Sequence, residues 1–326
     1  MKKPKISVVM ISYNHEKYIR QAIESILSQT CLPDEIILVD DCSDDMTLSI
    51  MKEYEQCEKR ISIIAHERNL GTSSALNSGI QKAQGEYIVM QSGDDVSLPQ
   101  RIEKQIEYLQ KNNTIASVCS HVEAVDDSGN YNPRFQSVHD VFNIPHISRN
   151  EMLYHFFVNG NMLNASSQTM RASIFSTVGL YNPALLQYQD YDMNIRISFA
   201  SSIEIIEEPL LQYRIRDDGK NISVGRGLQS VRCVLETDTL LSHYLSIQDV
   251  KEFIEIFGAD RYKKIRKETI PYFLGKVLLD EDAVLGRKIW ALKTMYQTMN
   301  EEDILEVLHE DIGYEYKDFI LLAEQL

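Results

Sequence analysis

Along the first 120 positions, apolar residues alternate between two rhythms. Short continuous runs at Lys5–Ile11, Glu35–Val39, Ile61–Ala65, Glu86–Met90 and Ile115–Cys119 read as strands buried on both faces. Between them the apolar positions space out to helical intervals. Ile19, Ala22, Ile23, Ile26 and Leu27 make Glu16–Gln29 an amphipathic helix. Met46–Tyr54 reads as a second helix. Ser73–Ala83 reads as a third, with Ala75, Leu76, Ile80 and Ala83 on one stripe and Gly85 beyond its end. Pro99 suits the first turn of a fourth, whose Ile102, Ile106 and Leu109 face inward. Strand and helix in strict alternation predict an α/β fold with a doubly wound, mostly parallel sheet.

The pattern loosens over 121–230. Turn signals stand at Asp126-Asp127-Ser128-Gly129 and Tyr181-Asn182-Pro183, and a strand-like run at Ile203–Ile206 ends at Glu207-Glu208-Pro209. From Val231 only Pro271 interrupts a leucine-rich, charged sequence at helical spacing. Helices are expected near 231–245, 249–257, 260–279, 283–298 and 301–309. The chain therefore divides into a sheet domain, 1–230, with halves 1–120 and 121–230, and an all-helical C-terminal appendage, 231–326.

Composition narrows the function. A net charge of −15 argues against a nucleic-acid partner, which needs a basic face. The appendage is acidic too, apart from Arg261, Lys263, Lys264, Arg266 and Lys267; that cluster suits a solvated helix face or contact with an anionic lipid or acceptor. Cys31, Cys42, Cys57, Cys119 and Cys233 have neither zinc-ligand spacing nor the pattern of a disulfide framework, which fits reduced thiols in the cytoplasm. No apolar run reaches the roughly 18 residues of a membrane span, so work at a membrane would be peripheral. No GxGxxG, GxxxxGK[ST] or GxSxG occurs. His15, His66, His121, His139, His146, His155, His243 and His309 form no ligand-spaced pair and are expected to be surface or locally bonded residues.

The chemistry concentrates where two strands end. Asp40-Asp41 follows Ile36–Val39, and Ser92-Gly93-Asp94-Asp95 follows Tyr87–Gln91. Ligands of open α/β sheets sit beyond the carboxyl ends of the strands. Two acidic pairs there point to a divalent cation holding a phosphorylated ligand, although Gly-Asp also suits a plain turn.

These segments resemble the family 2 glycosyltransferases of GT-A fold. The resemblance runs through Ser7–Asn14 (SVVMISYN), Ser25–Thr30 (SILSQT), Glu35–Ser43 (EIILVDDCS), Asn69-Leu70-Gly71, Ala75–Gly79 (ALNSG), Gly85–Ile88 (GEYI) and Ser92–Asp95 (SGDD). It is nearly continuous over 4–115 and continues more weakly to about 223. It implies an inverting enzyme with a nucleotide-diphosphate sugar donor and a Mg²⁺ or Mn²⁺ cofactor, acting in bacterial surface polysaccharide or glycoprotein glycan synthesis.

By that resemblance Ser12 and Tyr13 line the nucleotide pocket and Asp41 reads the base. A carboxylate accepts the N3–H of uracil but meets an acceptor nitrogen on cytosine, which favours a UDP-sugar. Asp41 or Asp44 would otherwise cap the helix that follows. Arg68 and Asn77 fall in a segment near nucleotide and sugar, with ordinary loop and helix-end bonding as the alternative. Asp94 and Asp95 match the metal- and donor-binding acids. Ser92 replaces an acid often found two positions before Asp94, and can still bond a ribose hydroxyl or a metal-bound water. Asp190, in Gln189-Asp190-Tyr191-Asp192 with Arg196 beyond, matches the general base, while Asp192 is expected on the helix surface. Tyr213-Arg214-Ile215-Arg216 and Asn221-Ile222-Ser223 match a Tyr-Arg-x-His element; Arg216 replaces its histidine and is expected to bind the diphosphate directly.

The acceptor is then a saccharide or glycan-bearing molecule. The helical region can serve a homo-oligomer, an acceptor or a membrane surface. Two other readings stay open: a nucleotide-sugar-binding assembly subunit without turnover, and a nucleotidyltransferase, which would carry a Gly-rich basic loop where Ser12-Tyr13-Asn14-His15 stands.

Overall fold

The computed structural model describes residues 4–216, 231–258, 262, 264–301 and 303–324. The Asn221-Ile222-Ser223 match, Arg261 and Lys263 lie outside them. One eight-stranded sheet is built from β1 (Ile6–Ser12), β2 (Glu35–Asp40), β3 (Ile61–Ala65), β4 (Tyr87–Ser92), β5 (Val96–Ser97), β6 (Ser117–Val125), β7 (Thr169–Arg171) and β8 (Ile203–Arg214). Their order is β3-β2-β1-β4-β7-β6-β8-β5.

The pairs among β1, β2, β3 and β4 are parallel, as the alternating pattern predicts. Beyond them the sheet is mixed. The three-residue β7 inserts antiparallel between β4 and β6, so β6 does not extend the parallel half directly. β8 runs parallel to β6 and continues past the expected stop at Pro209. Pro209 lies opposite His121, where the register shifts, and a bulge tolerates a residue without a backbone donor.

Helices α1 (Ile19–Leu27), α2 (Thr47–Cys57) and α4 (Arg101–Lys111) cover one face of the parallel strands, packing with Ile6, Val8, Met10, Ile36, Leu38 and Val89. Helix α3 (Thr72–Lys82) packs on the alternate positions Val9 and Val39 of the other face. Pro99 lies just before α4, whose N-cap is Gln100. Helices α5 (Gln136–Phe142), α6 (Arg149–Val158), α7 (Ile174–Val178) and α8 (Gln189–Ala200) follow.

The chain divides into two units: Met1–Arg149 with Met162–Gly225, and Asn150–Asn161 with Arg226–Leu326. The second holds α9 (Val231–Ser242), α10 (Val250–Phe257), α11 (Ile270–Asp280), α12 (Leu285–Met299), α13 (Ile304–Ile312) and α14 (Tyr316–Ala323). The helix expected over 260–279 starts only at Ile270, with Pro271 in its first turn. Most of α6 belongs to this unit because its aromatic side chains do. Phe157 packs against Tyr244, Phe257 and Trp290 at ring separations of 4.5, 5.1 and 5.8 Å. Arg266, from the basic cluster, pairs with Asp311 and Glu310 of α13 and is thereby neutralised internally. Among the described residues no helix is long and apolar enough to cross a membrane, and no disulfide joins the cysteines.

Candidate active site

β1 lies between β2 and β4, with Ser12 beside Asp40 and Ile11 beside Ser92. The chain steps from β1 to β2 and β3, then returns on the opposite side of β1 as β4. Strand order reverses there, and the crevice beyond those carboxyl ends is where such sheets bind ligands.

The Ser92–Asp95 turn sits on that crevice. Gly93 is required by close approach: a Cβ there would lie 1.8 Å from Ser12 Oγ and 2.9 Å from His15 Nδ1. Ser92 donates its hydroxyl to Asp94 Oδ1 at 2.5 Å. The Asp94 side chain keeps 10% exposure, and its Oδ2 stands 3.6 Å from His15 Nε2.

Asp95 differs. Its carboxylate is buried, accepting from the Arg214 backbone N–H at 2.9 Å and from the Ser166 hydroxyl. Burial first, and then the charge of Asp94, push Asp95 above the usual carboxylate range. The two acids expected to share a metal thus stand differently: Asp94 keeps a little exposure, and two protein donors hold Asp95 in the interior.

Two buried arginines support this turn. Arg101 donates to Gln91 Oε1 and Ser97 Oγ at 2.8 and 2.9 Å and to the Met90 carbonyl at 2.8 Å. Gln91 in turn donates to the Asp95 carbonyl at 2.8 Å. Burial pulls Arg101 down to about 9, which still leaves it protonated at neutral pH opposite Asp95. Arg214 donates through Nε to the Asp94 carbonyl and through its terminal nitrogens to Asp126, Asp127 and Gln21. Its guanidinium lies 5.0 Å from the Tyr18 ring centroid, and that of Arg216 lies 5.5 Å from the same ring. Arg216 thus shares a cation-binding aromatic face with the turn's main support.

Beyond the end of β1, Tyr13 is exposed, and the buried Ser12 hydroxyl and Asp40 Oδ1 have no hydrogen-bond partner among the described residues. Buried polar atoms are almost always bonded in the folded or liganded protein. Loops from β1 and β2 interlock: Asn14 N–H to Ser43 Oγ, Asp44 N–H to Asn14 Oδ1, Glu16 N–H to Asp45 Oδ2. Asp45, not Asp41 or Asp44, accepts from the first residue of α2, at Thr47 N.

Asp41 instead organises the loop before α3. Its oxygens accept from Leu70 N and Gly71 N at 2.9 and 2.8 Å and contact His66 Nδ1 at 2.7 Å, and His66 Nε2 lies 3.0 Å from Ser78 Oγ. Arg68 is exposed on this loop.

Asn77, expected near the donor, bonds to the Tyr181 backbone. Its amide donates to the Tyr181 carbonyl at 2.8 Å and accepts from Tyr181 N at 2.9 Å. Both ends are engaged, so Asn77 ties α3 to the segment leading into α8. Ser73 adds a bond to the Leu185 carbonyl at 3.0 Å.

Asp190 lies half-buried in the first turn of α8, where the helix terminus favours a carboxylate. Asp192 is buried, not on the surface: it takes two bonds from Arg196, which also holds the Val178 and Leu180 carbonyls. The buried Cys119 thiol, pushed up to about 12 mainly by burial, feels both Arg101 and Asp190. Arg101 in turn feels Asp95.

Residues 7–176 match the family described as Glycosyl transferase family 2. The chain belongs to that family. An uncharacterized glycosyltransferase of Methanocaldococcus jannaschii is 37% identical over 218 residues, 66% of this chain and 72% of that one. An uncharacterized glycosyltransferase of Haemophilus influenzae is 26% identical over 314 residues, 94% and 81% of the two chains, and so spans the helical region too. The fold is that of TarS from S. aureus crystallised with UDP: TM-score 0.62 at 15% identity, covering 96% of this chain and 93% of that one. TarS has also been crystallised with UDP-GlcNAc, TM-score 0.59.

Within this glycosyltransferase, sequence reasoning missed His15, Tyr18, Arg101 and Arg214 as parts of the site. Arg214 stood in a motif whose emphasis fell on Arg216. The other three carry no local signal.

Proposed function

We propose that this glycosyltransferase moves a sugar from a UDP-sugar to a hydroxyl of a saccharide or glycan-bearing acceptor, with inversion at C1. The setting we assign is the cytoplasm, in assembly of bacterial surface polysaccharide or glycoprotein glycans. The observation that carries this reading is the Asp94 carboxylate, held beside His15 and Ser92 at the strand-order reversal. The UDP and UDP-GlcNAc complexes of TarS, a protein of the same fold, support a uridine donor.

In this reading Ser12 and Tyr13 bind the nucleoside. Asp41, rigid in its loop, accepts from the base through remaining lone pairs, with Arg68 nearby. Ser92 positions Asp94, and Arg216 binds the diphosphate. Asp190 takes the proton of the acceptor hydroxyl as its oxygen bonds to C1. The C1–oxygen bond to the diphosphate breaks on the opposite face, and UDP leaves with that electron pair.

A Mg²⁺ or Mn²⁺ fits the oxygen of Asp94, since such cations take one or two protein carboxylates and complete their shell with phosphates and water. Bound there, it would neutralise charge on the leaving diphosphate.

A panel of nucleotide sugars assayed for nucleotide release, with and without EDTA, tests the proposal. Release from one UDP-sugar, abolished by EDTA, is expected. Binding without release from any donor would favour the non-catalytic assembly subunit, for which Ser92 in place of an acid is the specific argument.

A further inference from the structure

We propose that His15 supplies a nitrogen ligand to the divalent cation at Asp94 and thereby biases the site toward Mn²⁺ over Mg²⁺, an inference that rests on the donor reading above. The backbone of His15 is fixed on both sides. Its N–H donates to Thr47 Oγ1 at 2.8 Å, and its carbonyl accepts from Tyr18 N and Ile19 N at 2.9 Å. The imidazole meets the edge of Tyr18 at 6.5 Å and lies over Gly93, where any Cβ would come within 2.9 Å of Nδ1. Ring and carboxylate are held almost buried, at 11% and 10% exposure, with Nε2 and Oδ2 3.6 Å apart.

That separation is wider than a hydrogen bond. The same structure shows what a closed pair looks like: His66 and Asp41 meet at 2.7 Å. Two ligand atoms about 2.1 Å from one ion, at adjacent positions of a six-coordinate shell, stand roughly 3 Å apart. The His15–Asp94 pair, at 3.6 Å, stands about 0.6 Å wider than that and would close onto one cation with a small side-chain shift. One imidazole and one carboxylate make a mixed donor set. Mn²⁺ also favours oxygen donors, but Mg²⁺ dehydrates reluctantly and keeps its own waters, so a nitrogen ligand discriminates between the two.

Electron paramagnetic resonance of Mn²⁺ bound to the full chain with UDP tests this without turnover. Nitrogen coupling is expected, changing to the ¹⁵N pattern when the chain is grown on [¹⁵N]histidine. His15→Ala, or His15→Gln should the first not fold, is expected to lose the coupling and at least ~10-fold in Mn²⁺ affinity, with little change for Mg²⁺. Mn²⁺–UDP bound without histidine coupling in the unaltered chain overturns the proposal, as does coupling that persists in the His15 variant. No binding of Mn²⁺–UDP at all would instead remove the donor reading, and this one with it.

Discussion

Two residues separate chemistry from scaffolding. Asp190 sits half-buried in the first turn of α8, and the proposed mechanism gives it the proton of the acceptor hydroxyl. Asp190→Asn keeps shape and removes the base. Turnover should drop about 10²–10⁴-fold while UDP affinity, measured by calorimetry, stays as it was; near-normal transfer would refute the assignment. Asn77 makes the converse case. Its two bonds to Tyr181, itself only 2% exposed, leave buried backbone groups unsatisfied when the side chain is cut back. Asn77→Ala should cost about 1–3 kcal/mol in denaturant unfolding and leave UDP affinity unchanged. A lost affinity at unchanged stability would restore Asn77 as a donor contact. Asp94 was legible because its motif is local. The partners that define it were not: Arg214 reaches Asp95 and Gln21 across 119 and 193 positions of sequence.

At the level of elements, what could be read depended on burial. β1, β2 and β4 are apolar on both faces and announce themselves as continuous runs. β5 and β7 have two and three residues, too few for any period to show, yet β7 decides that the sheet becomes mixed. The interlocked loops after β1 and β2 are equally invisible locally, because each bond joins segments about one strand and helix apart. Asp45 is their joint. Burial raises its carboxyl, but the hydrogen bonds from Thr47 and Glu16 outweigh that and hold it below the ordinary range. A depressed folded value means the stabilisation is complete above the unfolded value of about 3.9 and fades as pH falls through the lower folded one. Asp45→Ala should therefore cost ~0.5–2 kcal/mol at pH 7, and the gap from the parent in urea midpoint should narrow below about pH 4. An equal gap at both pH values would show that the charge of Asp45 contributes nothing.

For the whole molecule, the change of sequence character at Val231 falls near Arg226, where the second unit resumes along the chain, but does not show what that unit contains. Nothing in the sequence near 150 shows that Asn150–Asn161 belongs with residues some 70 positions later. Composition cannot reveal it, since an apolar helix is read the same way whatever covers it. The consequence is specific. A chain ending at residue 230 keeps every proposed site residue but strips Phe157 of Tyr244, Phe257 and Trp290. Met152, Leu153 and Phe156 are buried beside it in α6. Exposing such side chains costs roughly 1.5–3 kcal/mol each and leaves a sticky surface. Light scattering of the 1–230 chain should therefore show association beyond a monomer. Polar substitution at Phe156 and Phe157 should reverse it, with UDP binding retained. A monodisperse 1–230 monomer would mean that α6 needs no cover from the helical region, and that the association expected of this protein must be sought in the full chain instead.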